Sequence, residues 1–283
     1  MHRIVHLASM ARSGETLLLR TLAAHPRVHV VHNLSEQDSP EDLQLFRTLA
    51  SHTAPLISSD HPHVRAAGVA SGKVLLLKQG TFAAADGFPG FVLVRNPMSV
   101  FASLSRYDTW TSLESLLERA RSLVRQKTAD PFRGRLRRWL QDIAPDALPL
   151  LDGLDRVESF CMFYNLRMRA LLESGLSVLA YERFVDSPAE SLDWLLDQLG
   201  LEPAEGLVEA DRQYAPGHTG HGRNDLSRPV DRVSLNRFLS LPRSTRTRVA
   251  ALTRETWRAF GYRITPDSVE PPEAFSAGRT AEP

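Results

Sequence analysis

The residues most able to do chemistry lie in one short loop near the amino terminus: Arg12, Ser13, Gly14, Glu15 and Thr16. An apolar run rich in Ile and Val precedes this loop, and a leucine-rich segment with helical spacing follows it. The pattern therefore predicts a strand, a loop and a helix. The helix start would present backbone N–H groups beside the Arg12 guanidinium and the Ser13 and Thr16 hydroxyls. Such a place favours an anion, most naturally a phosphate or a sulfate.

This loop differs from the phosphate loop of nucleoside triphosphatases, because the first glycine and the lysine of that loop are missing here. An NTPase is therefore disfavoured. The Arg-Ser-Gly-x-Thr run, followed by His25-Pro26, instead resembles the 5′-phosphosulfate loop of sulfotransferases that use 3′-phosphoadenosine 5′-phosphosulfate (PAPS). That resemblance implies that Arg12, Ser13, Gly14 and Thr16 hold the 5′-phosphosulfate of PAPS and that Arg12 also takes part in catalysis. Glu15, in the same run, is counted with them as a cofactor-binding residue.

A second basic motif follows the apolar run 91–94, which is typical of a buried strand. Arg95 would lie at the carboxyl end of this strand, and Pro97 is well placed to open a helix that carries Ser103. An Arg-Asn-Pro sequence with a serine eight residues after the arginine resembles the 3′-phosphate motif of the same family. The resemblance implies that Arg95 and Ser103 bind the 3′-phosphate. A capped strand–helix junction with a surface arginine is the alternative.

Tyr181 belongs to a third segment, residues 178–188, with the sequence VLAYERFVDSP. This segment resembles the Tyr-Glu-x-[Leu/Phe]-Val-x-[Asp/Ser]-Pro segment of the tyrosylprotein-like and bacterial branches of the family. The resemblance implies that Tyr181 lies near the nucleotide. Alternatively, Tyr181 ends a strand, with its ring in the core and its hydroxyl in water.

A fourth segment, residues 217–231, is rich in Gly, His and Arg, and its glycines permit close approach of the backbone to a ligand. Its Ser-Arg-Pro-Val run resembles part of a basic loop that, in the family, closes over the adenine and the 3′-phosphate. This implies that Ser227 and Arg228 contact the cofactor. His218 and His221 have no further residues at metal-ligand spacing, so we predict no metal site.

Lys78 ends the apolar run 74–77 in a chain with only three lysines. A cation at that strand end could stabilise the negative charge on a bridging oxygen as an S–O bond breaks. Leu-Leu-Lys before a turn matches the position of the catalytic lysine in the family, which implies that role for Lys78. The alternative is a surface lysine.

The transfer of a sulfuryl group to an acceptor hydroxyl is accelerated by a general base that takes the proton of that hydroxyl. In the cytosolic branch of the family this base is a histidine two residues after the lysine, but Gly80 occupies that position here. In the tyrosylprotein-like branch a Glu follows the His-Pro of the first helix by six residues, where this chain has His32. Histidine can do the same work, since its ordinary pKa lies near neutrality. Glu36 is the second candidate for the general base. The alternative interpretation of His32 is a loop histidine without a catalytic role.

Glu15 departs from the family pattern, which usually has Thr at that position. A carboxylate at a helix N-terminus is favoured by the helix dipole, but it would repel a phosphosulfate if it faced the ligand. Glu15 and the missing histidine at Gly80 leave one alternative open, a catalytically inactive protein that binds PAPS or its desulfated product PAP. A second alternative is an ATP-dependent P-loop-type kinase.

Apolar strand-like runs alternate with helical segments along the chain. This predicts an α/β fold with a mostly parallel sheet flanked by helices, and the resemblance implies the P-loop-like sulfotransferase fold. We expect one domain over residues 1–264, with 107–155 as a possible helical insert on the acceptor side, and a flexible tail over 265–283. The sequence predicts a surface loop over residues 53–72 and a single helix over residues 244–260.

Charge and composition narrow the class of protein further. The 283 residues carry a formal net charge of +1, which gives no general attraction to nucleic acid. No apolar run reaches membrane-spanning length, and the single cysteine, Cys161, fits a reducing compartment and reads as a buried, inert thiol. We therefore expect a soluble cytoplasmic protein. The resemblance to the sulfotransferase family implies PAPS as cofactor and a small-molecule, glycan or peptide hydroxyl as acceptor.

Overall fold

The computed structural model describes residues 1–31, 39–52, 54–79, 89–107, 131–220 and 224–273. The chain divides into two compact units. The first contains Met1–Val94 and Ser174–Arg232, and the second contains Arg95–Glu173 and Val233–Glu273. The expectation of a single domain over residues 1–264 stays a prediction.

A six-stranded sheet forms the centre of the first unit. Its strands are β1 (His2–Ser9), β2 (Val28–Val30), β3 (Leu56–Ile57), β4 (Val74–Gln79), β5 (Gly90–Val94) and β6 (Ser177–Ala180). Five of them are parallel in the order β2-β4-β1-β5-β6, and β3 pairs antiparallel with the start of β1. The predicted mostly parallel sheet is confirmed.

The register of β1 fixes which strand ends lie side by side. Leu7 pairs with Lys78 of β4, and Ser9 pairs with Leu93 of β5. The interior strands are apolar on both faces because helices cover a parallel sheet on both sides, and Leu75, for example, is completely buried. The carboxyl ends of β4, β1 and β5 therefore meet at one edge, which is where open α/β sheets bind ligands.

Ten α-helices lie in the part of the chain that the structure describes. They are α1 (Glu15–Ala23), α2 (Pro40–Ala50), α3 (Pro62–Ala66), α4 (Pro97–Tyr107), α5 (Pro131–Ile143), α6 (Arg156–Glu173), α7 (Tyr181–Asp186), α8 (Pro188–Gln198), α9 (Arg243–Leu252) and α10 (Arg254–Ala259). A 3₁₀ segment spans Pro145–Gly153. The described part of the proposed insert is thus helical.

In the first unit, α1 buries the leucine stripe that its 3.6-residue period creates, including Leu18, Leu19 and Leu22. The second unit has an aromatic core in which α4, α5 and α6 meet. Phe101 lies 5.1 Å from Phe160, measured between ring centroids, and meets the ring of Phe132 edge-on. Aromatic pairs favour such tilted and edge-to-face geometries.

The expectation of a surface loop over residues 53–72 is wrong for two short stretches, since β3 and α3 lie there. Strand β3 forms because β1 offers it a partner, which no local pattern reveals. The expected single helix over 244–260 is also wrong, because Thr253 lies between two helices, α9 and α10.

Two short antiparallel strand pairs lie outside the central sheet. β7 (Thr219–Gly220) pairs antiparallel with β8 (Asn224–Asp225), and β9 (Arg263–Ile264) pairs antiparallel with β10 (Val269–Glu270). β10 lies inside the segment that we expect to be a flexible tail, and the remainder of that segment, 274–283, is outside the described residues.

Candidate functional site

The loop between β1 and α1, residues 10–14, is called the donor loop here and has an unusual backbone. Arg12 has φ 76° and Gly14 has φ 103°, so both are left-handed, and among the described residues Arg12 is the only non-glycine with positive φ. The Ser13 N–H donates to the Met10 carbonyl at 3.1 Å and closes the turn. A left-handed non-glycine residue costs about 1–2 kcal/mol, and such strain is typically kept at functional sites.

Ser13 has a buried hydroxyl whose hydrogen-bonding capacity the described residues leave unused. Its side chain is completely buried, and its Oγ has no hydrogen-bond partner among the described residues. A buried hydroxyl without a partner costs about 1–3 kcal/mol. Helix α1 begins two residues later, at Glu15, and the first N–H groups of a helix have no acceptor within that helix. The loop and the helix start together can therefore donate to an anion.

Glu15 is only 4% exposed, and its Oε1 accepts a hydrogen bond of 3.0 Å from the Ser9 hydroxyl. Ser9 is the last residue of β1, so this bond joins the end of the strand to the start of the helix. Sequence reasoning missed Ser9, although a small polar residue at the end of an apolar strand was the available signal. The carboxylate of Glu15 thus already accepts a hydrogen bond from the residue that precedes the donor loop.

Tyr181 packs against the donor loop. It is the first residue of α7, directly after β6, and it is buried. A Cβ built on Gly14 would overlap Cδ2 and Cε2 of the Tyr181 ring. Only glycine therefore fits at residue 14, for its backbone angle and for the space that the ring occupies. The contact of Tyr181 with a nucleotide stays a prediction.

The described part of the fourth segment, residues 217–220 and 224–231, is called the basic loop here. One contact joins this loop to α1: Asn224 Nδ2 donates a hydrogen bond of 3.4 Å to Thr16 Oγ1. Thr16 lies in the first turn of α1. The structure therefore brings together two segments that the sequence singles out 208 residues apart.

Within the basic loop, the Ser227 hydroxyl makes hydrogen bonds that stabilise the loop itself. The hydroxyl donates to Asp225 Oδ1 at 2.6 Å and accepts from the Gly217 N–H at 2.9 Å. The hydrogen bond from Ser227 lowers the pKa of Asp225. Arg228 is 45% exposed, and its Nε donates to Asp231 Oδ2 at 2.7 Å. The predicted roles of Ser227 and Arg228 as cofactor contacts stay predictions.

Arg20 is a residue of this site that sequence reasoning missed. It lies on α1 and is 2% exposed, and its Nη1 donates to the carbonyls of Leu226 at 2.8 Å and Arg228 at 2.5 Å. The signal was present, since Arg20 follows Thr16 by four residues and so shares its helix face. A cation among the leucines of an amphipathic helix needs such partners.

Lys78 is half-buried near the carboxyl end of β4, opposite Leu7 of β1. Leu7 precedes Ser9 by two residues, so Lys78 lies at the edge of the sheet from which the donor loop leaves. Its catalytic role stays a prediction.

In the second unit, Arg95 directly follows β5 in the chain and is buried, at 4% exposure. Its Nη2 donates to the Ser234 carbonyl at 2.9 Å, and its own carbonyl accepts from the Tyr164 hydroxyl at 2.9 Å. The alternative of a surface arginine is therefore wrong. The junction itself is capped, since Asn96 Oδ1 accepts from the Ser99 N–H at 2.8 Å.

Ser103, the other predicted 3′-phosphate ligand, is a buried residue of α4. Cys161 is buried too, and burial raises the pKa of its thiol to about 12. The expectation that this thiol is buried is confirmed, and a raised pKa makes it a poor nucleophile.

Two solved structures are similar to this chain in fold. One is a sulfotransferase domain from the curacin biosynthetic pathway, with a TM-score of 0.53 and 15% identity over 90% of this chain and 97% of that one. The chain has the sulfotransferase fold. The other is the sulfotransferase domain from the Synechococcus PCC 7002 olefin synthase, with a TM-score of 0.49 and 18% identity over 93% of this chain and 95% of that one. No protein-family model and no curated protein matches the sequence.

The sulfotransferase fold confirms the predicted fold class, and the activity has to be argued from the residues of this chain because a fold hosts many functions. His32, Glu36, Gly80 and His221 lie outside the described residues. Within the described ranges, no group of three or more His, Cys, Asp and Glu residues could hold a metal ion. No helix in those ranges has the length and apolar character that crossing a membrane requires.

Proposed function

We propose that this protein is a sulfotransferase that moves a sulfuryl group from PAPS to a hydroxyl or phenol acceptor. One observation carries the proposal: the completely buried Ser13 hydroxyl has no partner among the described residues, and it lies in a left-handed turn at the start of α1. An anion with free acceptor oxygens is the ligand that satisfies such donors.

The donor loop and the start of α1 supply the contacts to the 5′-phosphosulfate. Arg12 supplies a fixed positive charge, Ser13 and Thr16 supply hydroxyl donors, and Gly14 lets the backbone approach closely. Glu15 contributes through its backbone N–H, since its carboxylate already accepts from Ser9. The residues present therefore fit an anionic 5′ group.

For the other end of the nucleotide we propose Tyr181, Ser227 and Arg228 of the first unit. Tyr181 already packs against Gly14, and the exposed Arg228 guanidinium can exchange Asp231 for a phosphate. From the second unit we propose Arg95 and Ser103 as ligands of the 3′-phosphate, on the sequence motif alone.

PAPS supplies an activated sulfuryl group in this reaction. A new O–S bond forms to the acceptor oxygen, the S–O bond to the 5′-phosphate breaks, and PAP leaves. We assign Lys78 to stabilise the charge that develops on the leaving oxygen, and Arg12 to stabilise the transferred group. His32 takes the proton of the acceptor, with Glu36 as the alternative base.

The acceptor in this proposal is a small-molecule, glycan or peptide hydroxyl. The cytoplasmic location is also part of the proposal, and it rests on the single cysteine of the chain.

The test combines binding and transfer. PAP, ADP and ATP are titrated into the protein by calorimetry, and PAPS is then incubated with a panel of phenols and alcohols while sulfated products are detected by mass spectrometry. We expect PAP to bind more tightly than ADP or ATP, and at least one phenol to be sulfated. Binding of PAP with no transfer across a broad panel favours the inactive binding protein, and a preference for ATP favours the kinase.

A matched pair of serine variants links the binding to the donor loop. Ser13→Ala should weaken PAP binding about tenfold, the cost expected for one hydrogen bond to a charged group. Ser71→Ala is the control, because Ser71 is exposed. Equal PAP affinity in both variants would remove Ser13 from the site, and a wild-type protein that binds no PAP would refute the proposed function.

A further inference from the structure

Arg20 is a buried cation on α1 for which the proposed reaction has no use. Its Nη1 donates to two backbone carbonyls, of Leu226 and Arg228, which lie 206 and 208 residues further along the chain. Both acceptors belong to the basic loop. A single side chain on the first helix thus holds the loop that carries Arg228.

The surroundings of Arg20 show that its hydrogen bonds, rather than its packing, explain its presence. Burial lowers the pKa of Arg20, and the charges of Asp211, Tyr214 and Asp225 oppose that shift. Its Nε and Nη2 are buried with no hydrogen-bond partner among the described residues. Burying a guanidinium in this way is costly, and an apolar side chain would fill the space without that cost. What only the arginine provides is the pair of bonds to the loop.

A second bond ties the same loop to the same face of α1. Asn224 donates to Thr16, one helical turn before Arg20. Inside the loop, the Leu226 N–H donates to the His218 carbonyl at 2.8 Å. Three hydrogen bonds therefore join the first two turns of α1 to the basic loop.

We propose that Arg20 is a positioning residue that anchors the basic loop to α1 through the carbonyls of Leu226 and Arg228. The anchor fixes the backbone at Arg228 and leaves its side chain able to turn from Asp231 toward the 3′-phosphate. A loop that is already in place loses less conformational entropy when the ligand binds. The role of Arg228 rests on the proposed function, whereas the anchoring does not.

Hydrogen exchange of the ligand-free protein tests the anchoring directly. The variant is Arg20→Met, which keeps most of the side-chain volume and removes the donors, and the reporter is the Leu226 amide. We expect its exchange to accelerate at least about tenfold, since hydrogen bonds to a charged donor are lost. Arg65→Met, at an exposed arginine of α3, should leave it unchanged. Unchanged exchange in Arg20→Met would overturn the proposal.

PAP affinity in a double-mutant cycle tests the positioning. Arg20→Met and Arg228→Ala should each weaken PAP binding, and Arg228→Ala should cost much less in the Arg20→Met background. Additive losses would mean that Arg20 does not act through Arg228. If the wild-type protein binds no PAP, the proposed function has failed, and the exchange of Leu226 alone then decides the anchoring.

Arg20→Lys covers the case in which Arg20→Met does not fold, as judged by circular dichroism. A lysine keeps the positive charge, but its compact ammonium lacks the planar fork of donors. We expect the Leu226 amide to exchange faster in Arg20→Lys than in wild type. If Arg20→Met does fold, exchange in Arg20→Lys should be the slower of the two variants. Wild-type exchange in Arg20→Lys would show that charge alone suffices and would overturn the anchoring.

Discussion

The hydroxyl of Ser9 donates a hydrogen bond of 3.0 Å to the carboxylate of Glu15, so the last residue of β1 is joined to the first residue of α1. The bond holds the carboxylate at the helix start, directly after the donor loop that we propose to bind an anion. A negative charge in that position opposes the binding of any phosphate.

Glu15→Gln is therefore expected to tighten PAP binding. Glutamine keeps an oxygen to accept from Ser9 but removes the charge, and the gain should be about 1 kcal/mol, or roughly fivefold in Kd. Ser9→Ala is the control, because it breaks the hydrogen bond and leaves the charge in place, and it should not tighten binding. Calorimetric titration measures both, and an unchanged Kd in Glu15→Gln would show that the ligand does not feel this carboxylate.

Gly14→Ala should destabilise the protein more than an ordinary glycine replacement. Its φ of 103° strains any side chain, and the new Cβ would overlap the Tyr181 ring. Gly68→Ala is the matched control, since Gly68 also has positive φ, at 66°, but has open space around it. We expect a loss in the free energy of unfolding of about 1 kcal/mol for Gly68→Ala and about 2–4 kcal/mol for Gly14→Ala. Equal losses in urea unfolding would contradict the contact with Tyr181.

Arg95→Ala should weaken PAP binding by about 2 kcal/mol or more, as expected when a charge-assisted contact is lost. Because Arg95 also donates to the Ser234 carbonyl, thermal unfolding of the variant has to be followed in parallel. Arg169→Ala, at an exposed arginine of α6 in the same unit, is the control and should bind PAP like wild type. Unchanged affinity in a folded Arg95→Ala would remove Arg95 from the proposed site.

His32→Ala should lower the rate of sulfuryl transfer by roughly 10²-fold and leave PAP affinity nearly unchanged, because the base acts on the acceptor rather than on the nucleotide. Single-turnover kinetics together with PAP titration separates these two quantities. A wild-type rate in His32→Ala, with a slow rate in Glu36→Gln, would move the role of base to Glu36.

His29 should make the protein less stable in mild acid. Its Nε2 lies 3.6 Å from Asp42 Oδ1. Burial lowers the pKa of His29, Asp42 opposes this shift, and Lys73 and His2 add to it. The unfolded chain, with a histidine pKa of about 6.5, therefore takes up a proton before the folded protein does. The free energy of unfolding should fall as the pH drops below that value, and it should fall less in His29→Gln. Parallel urea-unfolding curves for the two proteins across this range would contradict the shift.

Much of the fold follows from short stretches of sequence. The apolar run 91–94 lies in β5, as predicted for a buried strand, and Pro97 opens α4 because proline suits the first turn of a helix. The order of strand, loop and helix around Arg12 is likewise as predicted, but α1 begins at Glu15, so Glu15 and Thr16 lie in the helix rather than in the loop. These features depend on residue type and on hydrophobic periods of two or 3.6 residues, so a short stretch of sequence is enough to predict them.

The contacts that define the candidate site are not local, and only the tertiary structure decided them. The bonds from Arg20 to Leu226 and Arg228, and the packing of Tyr181 on Gly14, depend on the strand order β2-β4-β1-β5-β6. That order depends on which apolar faces of the whole chain are buried against each other. The free energy of burial scales with the total apolar area removed from water, which residues close in sequence do not determine. The sequence by itself therefore determined the chemistry that the loops offer, and the packing of the sheet decided which of these loops meet.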